Sequence, residues 1–285
     1  MTKVALTIAG LDPSGGAGII ADIKTFARFG CFATAAISSI TFQNTTGVFG
    51  AVHQTADTIR GQLEPVLRDY AVDAVKTGML PTRDVIEETT RLIGDAKLKN
   101  FVVDPVVRST SGFDLIDDHA LRVLIKLLFP LSDLVTPNIH EAERISKMKI
   151  VTEADIEKAA RIMQSIGAKN VLIKGGHLSI LDLGLRNADL GRNATVKERA
   201  DFNSGRRKRK ATDYLFIGDE LHIFEADFID TTATHGTGCT LAAAITANLA
   251  LGKGLKEAVE ISKKFVTEAI RTAPNLGHGH SPINV

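Results

Sequence analysis

The chain has 285 residues, 44% of them apolar and 24% charged, and its 34 basic and 33 acidic side chains leave a net charge of +1. That balance excludes a disordered chain, and near-neutrality with 5% aromatic residues and no Trp speaks against a nucleic-acid or anionic-lipid surface. No apolar run is long enough to span a bilayer, and the distant Cys31 and Cys239 form no metal-spaced cluster, so a reduced cytoplasmic protein is expected.

Strand-like and helix-like periods alternate from the start. Val4–Ala9 is a continuous apolar run, the pattern of a strand buried on both faces, and Asp12-Pro13 after it makes a poor signal peptide. Beyond the Gly-rich turn Gly10–Gly18, residues Ile19, Ile20, Ile23, Phe26 and Ala27 fall at helical spacing, and Gly30 is placed to end that helix. Cys31–Ile40 reads as a second strand. Ile59, Leu63, Val66 and Leu67 mark a helix, Ala74–Lys76 a strand, Val85 to Ile93 a helix and Phe101–Val103 a strand. Ala120–Phe129 is helical and Leu134–Thr136 a strand. Thr152, with Asp155 three residues on, opens a helix that Gly167 stops before the strand Val171–Lys174. Such repeated units predict one α/β domain over 1–285, a parallel sheet covered by helices.

Near residue 180 the rhythm breaks. Residues 186–213 hold nine Lys/Arg against four Asp/Glu, including the run Arg206–Lys210, and read as a solvated surface insertion rather than a polyanion-binding segment. Tyr214–Ile217 and Leu221–Phe224 flank Gly218-Asp219-Glu220, which predicts a hairpin with a three-residue loop. His278 and His280 lack clustered partners and read as a surface tail rather than a metal site.

The segment Asp230–Thr240, followed by the Ala-rich helix Leu241–Leu251, carries the strongest chemical signal. A glycine-bearing turn that opens a helix aims the backbone N–H groups of Gly236, Thr237, Gly238 and Cys239 at one point, and the helix dipole adds positive charge. This favours the charge on a phosphoryl group in transfer, although a plain tight turn would explain the glycines alone. Cys239 at the helix start is expected to have a lowered pKa, making it a usable base or nucleophile near neutrality.

Asp230 with Gly236-Thr237-Gly238-Cys239 resembles the anion-hole motif of the ribokinase superfamily. Cysteine in place of the sugar kinases' aspartate resembles the hydroxymethylpyrimidine/phosphomethylpyrimidine kinases of thiamine biosynthesis. The similarity runs over most of the chain: Ala9–Ile19 with Asp22, Gln43-Asn44-Thr45, Val75–Leu80, Asp104-Pro105-Val106, Thr136–Ala142 and Lys174-Gly175-Gly176-His177. The sequence departs from that family at the basic insertion, which falls where the family has a short flap near the nucleotide, and at the bulky Phe42.

The resemblance implies a ribokinase-like three-layer α/β/α fold with a mostly parallel central sheet and a small β flap. It implies ATP-dependent phosphorylation of 4-amino-5-hydroxymethyl-2-methylpyrimidine and of its monophosphate, with pyridoxal as the rival substrate. Gly10, Asp22, Gln43, Met79 and Val106 would bind the substrate. Gln43 offers both an acceptor and a donor to one edge of an aminopyrimidine. Cys239 would be the base, and Gly236, Thr237, Gly238 and Lys174 would stabilise the transferred group. Asn138, Glu141, Lys174, Thr237 and Gly238 would hold ATP, and Asp104 and Glu141 would hold Mg²⁺, a hard ion suited to oxygen ligands. A monovalent cation and a homodimer are further expectations; no nucleic acid and no membrane is expected as a partner.

Overall fold

The structure, a computed structural model, describes residues 1–109, 112–175 and 209–285. All nine strands among them join one sheet in the order β3-β2-β1-β4-β5-β6-β7-β8-β9. The strands are β1 (Val4–Leu11), β2 (Phe32–Asn44), β3 (Gly47–His53), β4 (Ala74–Thr77), β5 (Phe101–Val103), β6 (Leu134–Val135), β7 (Asn170–Lys174), β8 (Lys210–Ile217) and β9 (Glu220–Asp227). Neighbours from β2 to β7 run parallel, whereas β3, β8 and β9 pair antiparallel at the two edges.

Period-two burial decides the layers. Leu6, Ile8, Val75, Phe101, Val103, Val171 and Ile173 face a core shared with α2 (Ala56–Asp69), α3 (Arg83–Asp95), α4 (Asp118–Leu128), α5 (Ile139–Ser146) and α6 (Glu153–Ser165). Alternate residues Ala5, Ala74, Val102, Leu134 and Leu172 face α1 (Gly18–Arg28), α7 (Thr237–Ala250) and α8 (Leu255–Arg271). Both faces are therefore apolar, as buried parallel strands require. The chain leaves β1 for β2 on one side and returns past it to β4, so the sheet has a switch point beside β1. Ligands collect in such a crevice at the carboxyl ends of the strands.

The structure refines several expectations. β2 runs on to Asn44 and pairs with β3, placing Gln43 opposite Val48 on a strand. The β8–β9 loop is Gly218-Asp219 only, because Glu220 already pairs with Ile217. Of the basic insertion, residues 186–208 lie outside the described residues, as do Gly176 and His177. Its end is ordinary structure: Arg209 lies over the Phe228 ring and Lys210 opens β8.

Candidate active site

A cavity of about 1040 Å³ opens at the carboxyl edge of the sheet. It is bordered by Gly10, Gln43, Met79, Asp104, Val106, Asn138, Glu141, Lys174 and the turn Gly236–Cys239, so twelve of the thirteen positions singled out by the sequence share one space. Asp22 is the exception. It lies behind the wall, wholly buried, taking hydrogen bonds from Thr7 Oγ1 at 2.6 Å and Lys76 Nζ at 2.8 Å. The expected direct contact of Asp22 with substrate gives way to a contact with the buried Lys76, a residue of the cavity wall.

The mouth of α7 supplies the donors. Gly236 adopts φ +82°, and a side chain there would run into the Gly16 carbonyl oxygen, so the turn demands glycine. α7 starts with no side-chain cap, and the N–H groups of Gly238 and Cys239 have no hydrogen-bond partner among the described residues. Lys174 Nζ stands beside them, 3.2 Å from where a Cβ on Gly238 would lie. It is braced by Asp104 Oδ1 at 2.8 Å, which also accepts from Thr136 Oγ1 at 3.0 Å.

Elsewhere on the cavity wall, Gln43 Nε2 donates to Thr41 Oγ1 at 2.8 Å, and Thr41 in turn donates to the Leu11 carbonyl at 2.9 Å. Met79 packs against Gly10, whose missing side chain makes room for its sulfur. Gln43 thus faces the cavity with its carbonyl oxygen unpartnered among the described residues.

Asp12, His235 and Lys76 have partners that the sequence alone does not reveal. Asp12 gathers the Gly-rich loop, accepting from Ser14 N, Ser14 Oγ and Ala17 N at 2.7 to 2.9 Å, and it meets His235 Nε2 at 2.7 Å. Burial works against the Asp12 charge, but the His235 and Ser14 hydrogen bonds outweigh it and hold the carboxyl below its usual range. Burial would strip the proton from Lys76, yet the Asp22 carboxylate prevails and keeps the ammonium charged.

Asn138 and Glu141 form a reciprocal cap at the start of α5: Asn138 Oδ1 accepts from Glu141 N at 2.9 Å and Glu141 Oε2 from Asn138 N at 2.8 Å. Glu141 Oε1 takes only a long bond from Val107 N, 3.3 Å, and Asp104 Oδ2 takes none among the described residues. No cluster of three or more metal-ligating side chains exists among the described residues. Two carboxylates with spare lone pairs nevertheless fit Mg²⁺, which usually takes one or two protein carboxylates and completes its shell with water and phosphate oxygens. Burial pushes Glu141 up to about 7, with Lys174 pulling down and Asp104 adding to the rise.

The family model described as phosphomethylpyrimidine kinase matches residues 12–284. The chain belongs to the phosphomethylpyrimidine kinase family. It is 39% identical over 283 residues to a hydroxymethylpyrimidine/phosphomethylpyrimidine kinase of Haemophilus influenzae, covering 99% of this chain and 96% of that one. A relative of the same name from Bacillus subtilis is 40% identical over 280 residues, covering 98% and 93%. Among solved structures, the ADP complex of Bacillus subtilis pyridoxal kinase superposes with a TM-score of 0.82 at 36% identity, covering 100% of this chain and 97% of that one. Phosphomethylpyrimidine kinase of Clostridium difficile gives 0.75 at 37% identity, covering 94% and 100%. The ribokinase-like fold expected from the motifs is thereby shown.

Within this kinase-family site one expectation is overturned. The Cys239 thiol is not acidified by the helix start; burial pushes it up to about 11. Lys76 and the Gly18 N–H pull it down, but Asp104 and Asp22 add to the rise. Removal from water, the largest of these influences, sets the direction of the shift.

Proposed function

We propose that this chain is an ATP-dependent kinase that phosphorylates hydroxymethylpyrimidine and then its monophosphate in thiamine biosynthesis. The observation that carries the reading is the shared cavity, whose wall holds the Gln43 amide, the open α7 mouth, Lys174 and Cys239. The amide would hold the ring edge, so that the hydroxymethyl oxygen faces the turn. Donors fixed before the reaction stabilise charge as it develops on the phosphoryl oxygens, and Lys174 adds a point charge.

Asp104 and Glu141 would hold Mg²⁺ beside Lys174. The ion would supply neutralisation of phosphate charge. Cys239 would take the hydroxyl proton in the first step. With its pKa near 11 the thiol is mostly protonated at neutrality, so first-step turnover should climb as the medium becomes alkaline. In the second step the attacking phosphate oxygen already carries charge and needs no base.

ADP release on adding hydroxymethylpyrimidine, its monophosphate or pyridoxal tests the reading. The highest kcat/KM is expected for the pyrimidines; no ADP with either pyrimidine would sink it. Cys239→Ala is expected to lower the first phosphorylation by about 10²-fold or more and the second far less. Equal losses would remove the base assignment. Pyridoxal phosphorylation is the second reading, favoured by the likeness to the Bacillus subtilis pyridoxal kinase. Against it stands Gln43, whose carbonyl would find no exocyclic amine on pyridoxal.

The family resemblance also supports a cytoplasmic homodimer. No helix among the described residues is long and apolar enough to cross a membrane, and Phe42, Phe49 and Val52 expose apolar surface on β2 and β3. Light scattering would measure the dimer, and exchanging K⁺ for a larger cation would test monovalent activation.

A further inference from the structure

The segment 276–284 lies in no strand or helix. Some of its hydrogen bonds nevertheless reach two places that carry site residues. The N–H groups of His278 and Gly279 donate to Thr45 Oγ1 at 3.2 and 3.3 Å, and that of His280 to the Thr45 carbonyl at 2.8 Å. Thr45 stands two residues after Gln43. The next residue, Ser281, accepts from His235 N at 3.2 Å through its carbonyl, and Pro282 bridges to His235, the neighbour of Gly236.

Close approach is built into the backbone. A side chain at Gly277 or Gly279 would strike Thr45, and one at Gly16 would strike His235 and Pro282. The far end is anchored by buried Ile283 and by Asn284 N donating to the Ala269 carbonyl of α8 at 3.0 Å. His235 also grips Asp12 of the Gly-rich loop. Three of the segments that line the cavity, loop 10–18, the end of β2 and the turn before α7, therefore meet on this strut. The histidines themselves make no metal cluster among the described residues, and His280 Nδ1 sits 3.4 Å from Thr234 Oγ1 instead.

We propose that segment 276–284 is a positioning strut, acting through Thr45 and His235, that fixes the distance between the ring-binding end of β2 and the phosphoryl-binding turn. It rests on the kinase reading only for its kinetic part. Separating the two ends by a fraction of an ångström misaligns the attacking oxygen without removing any group that touches it.

Thr45→Val keeps the shape of the side chain and removes the acceptor of two strut amides. Hydrogen exchange should speed about fivefold or more in the turn 235–239, which Thr45 does not touch, while Phe101–Val103 stays unchanged. The first phosphorylation should lose about tenfold in kcat, with KM for ATP held within about twofold. Gly279→Ala, which presses a methyl group onto the Thr45 backbone, is the second variant and should give the same paired change. His235→Gln, able to donate to Asp12, should retain more activity than His235→Ala. Unchanged exchange in the turn, or exchange raised equally throughout the sheet, would overturn the proposal. A wild-type protein that releases no ADP would sink the kinase reading alone, since the exchange measurement stands without it.

Discussion

Two helices, α5 and α7, open onto the same cavity and are finished in opposite ways. α5 begins with its own side chains: Asn138 caps it and Glu141 folds back to accept from the Asn138 N–H. Its positive end is thus covered by a carboxylate, and with Asp104 it shows oxygen atoms to the cavity. α7 begins on a bare glycine, with free N–H groups and Lys174 beside them. One helix start is prepared for a cation and the other for an anion, and the difference lies in whether a cap residue is present. A cap is worth about 1 kcal/mol, so leaving it out at α7 gives up a little stability for a place to hold charge.

Gly236→Ala should break the contrast most. The strained φ and the clash with Gly16 would turn the donors away, and kcat should fall about 10²- to 10³-fold with the circular dichroism spectrum kept. Next comes pH. The raised thiol predicts a first-step rate rising about tenfold per unit from pH 7 towards 9, with a flatter second step; parallel profiles would show that Cys239 is not the base. Asn138→Ala should uncover the α5 mouth, lowering stability by about 1 kcal/mol in urea titration and raising the Mg²⁺ needed for half-maximal rate. The smallest effect is expected from Thr82→Ala, which uncaps α3 away from the cavity. It should cost about 1 kcal/mol and leave kcat and KM as they are.

The parallel strands were legible because burial on both faces writes a continuous apolar run, and Thr152 with Asp155 announced α6 correctly. β3 was not read, since Gly47 and Gly50 interrupt a strand whose partner supplies its order. The amphipathic helix α8 also went unread. Motifs brought the cavity residues together, yet a motif shows neither depth nor distance. Asp12 and His235 stand 223 residues apart. Lys76 looks like an ordinary lysine in a strand until its burial is known, and with burial comes its partner Asp22. The same missing depth hid the direction of the Cys239 shift: a helix start is visible in a sequence, whereas the exclusion of water around it is not.

From Thr240 to Ala250 every residue of α7 is buried, and the small side chains Ala242, Ala243, Ala244 and Ala247 let it nest between the sheet and its neighbours. A rod held so firmly cannot tilt or slide while bonds rearrange at its tip. The dipoles at that tip are thus oriented when the protein folds, and little reorganisation remains for the moment of transfer. Whatever closing movement the two substrates require has to come from the more loosely held walls, towards a centre that stays still.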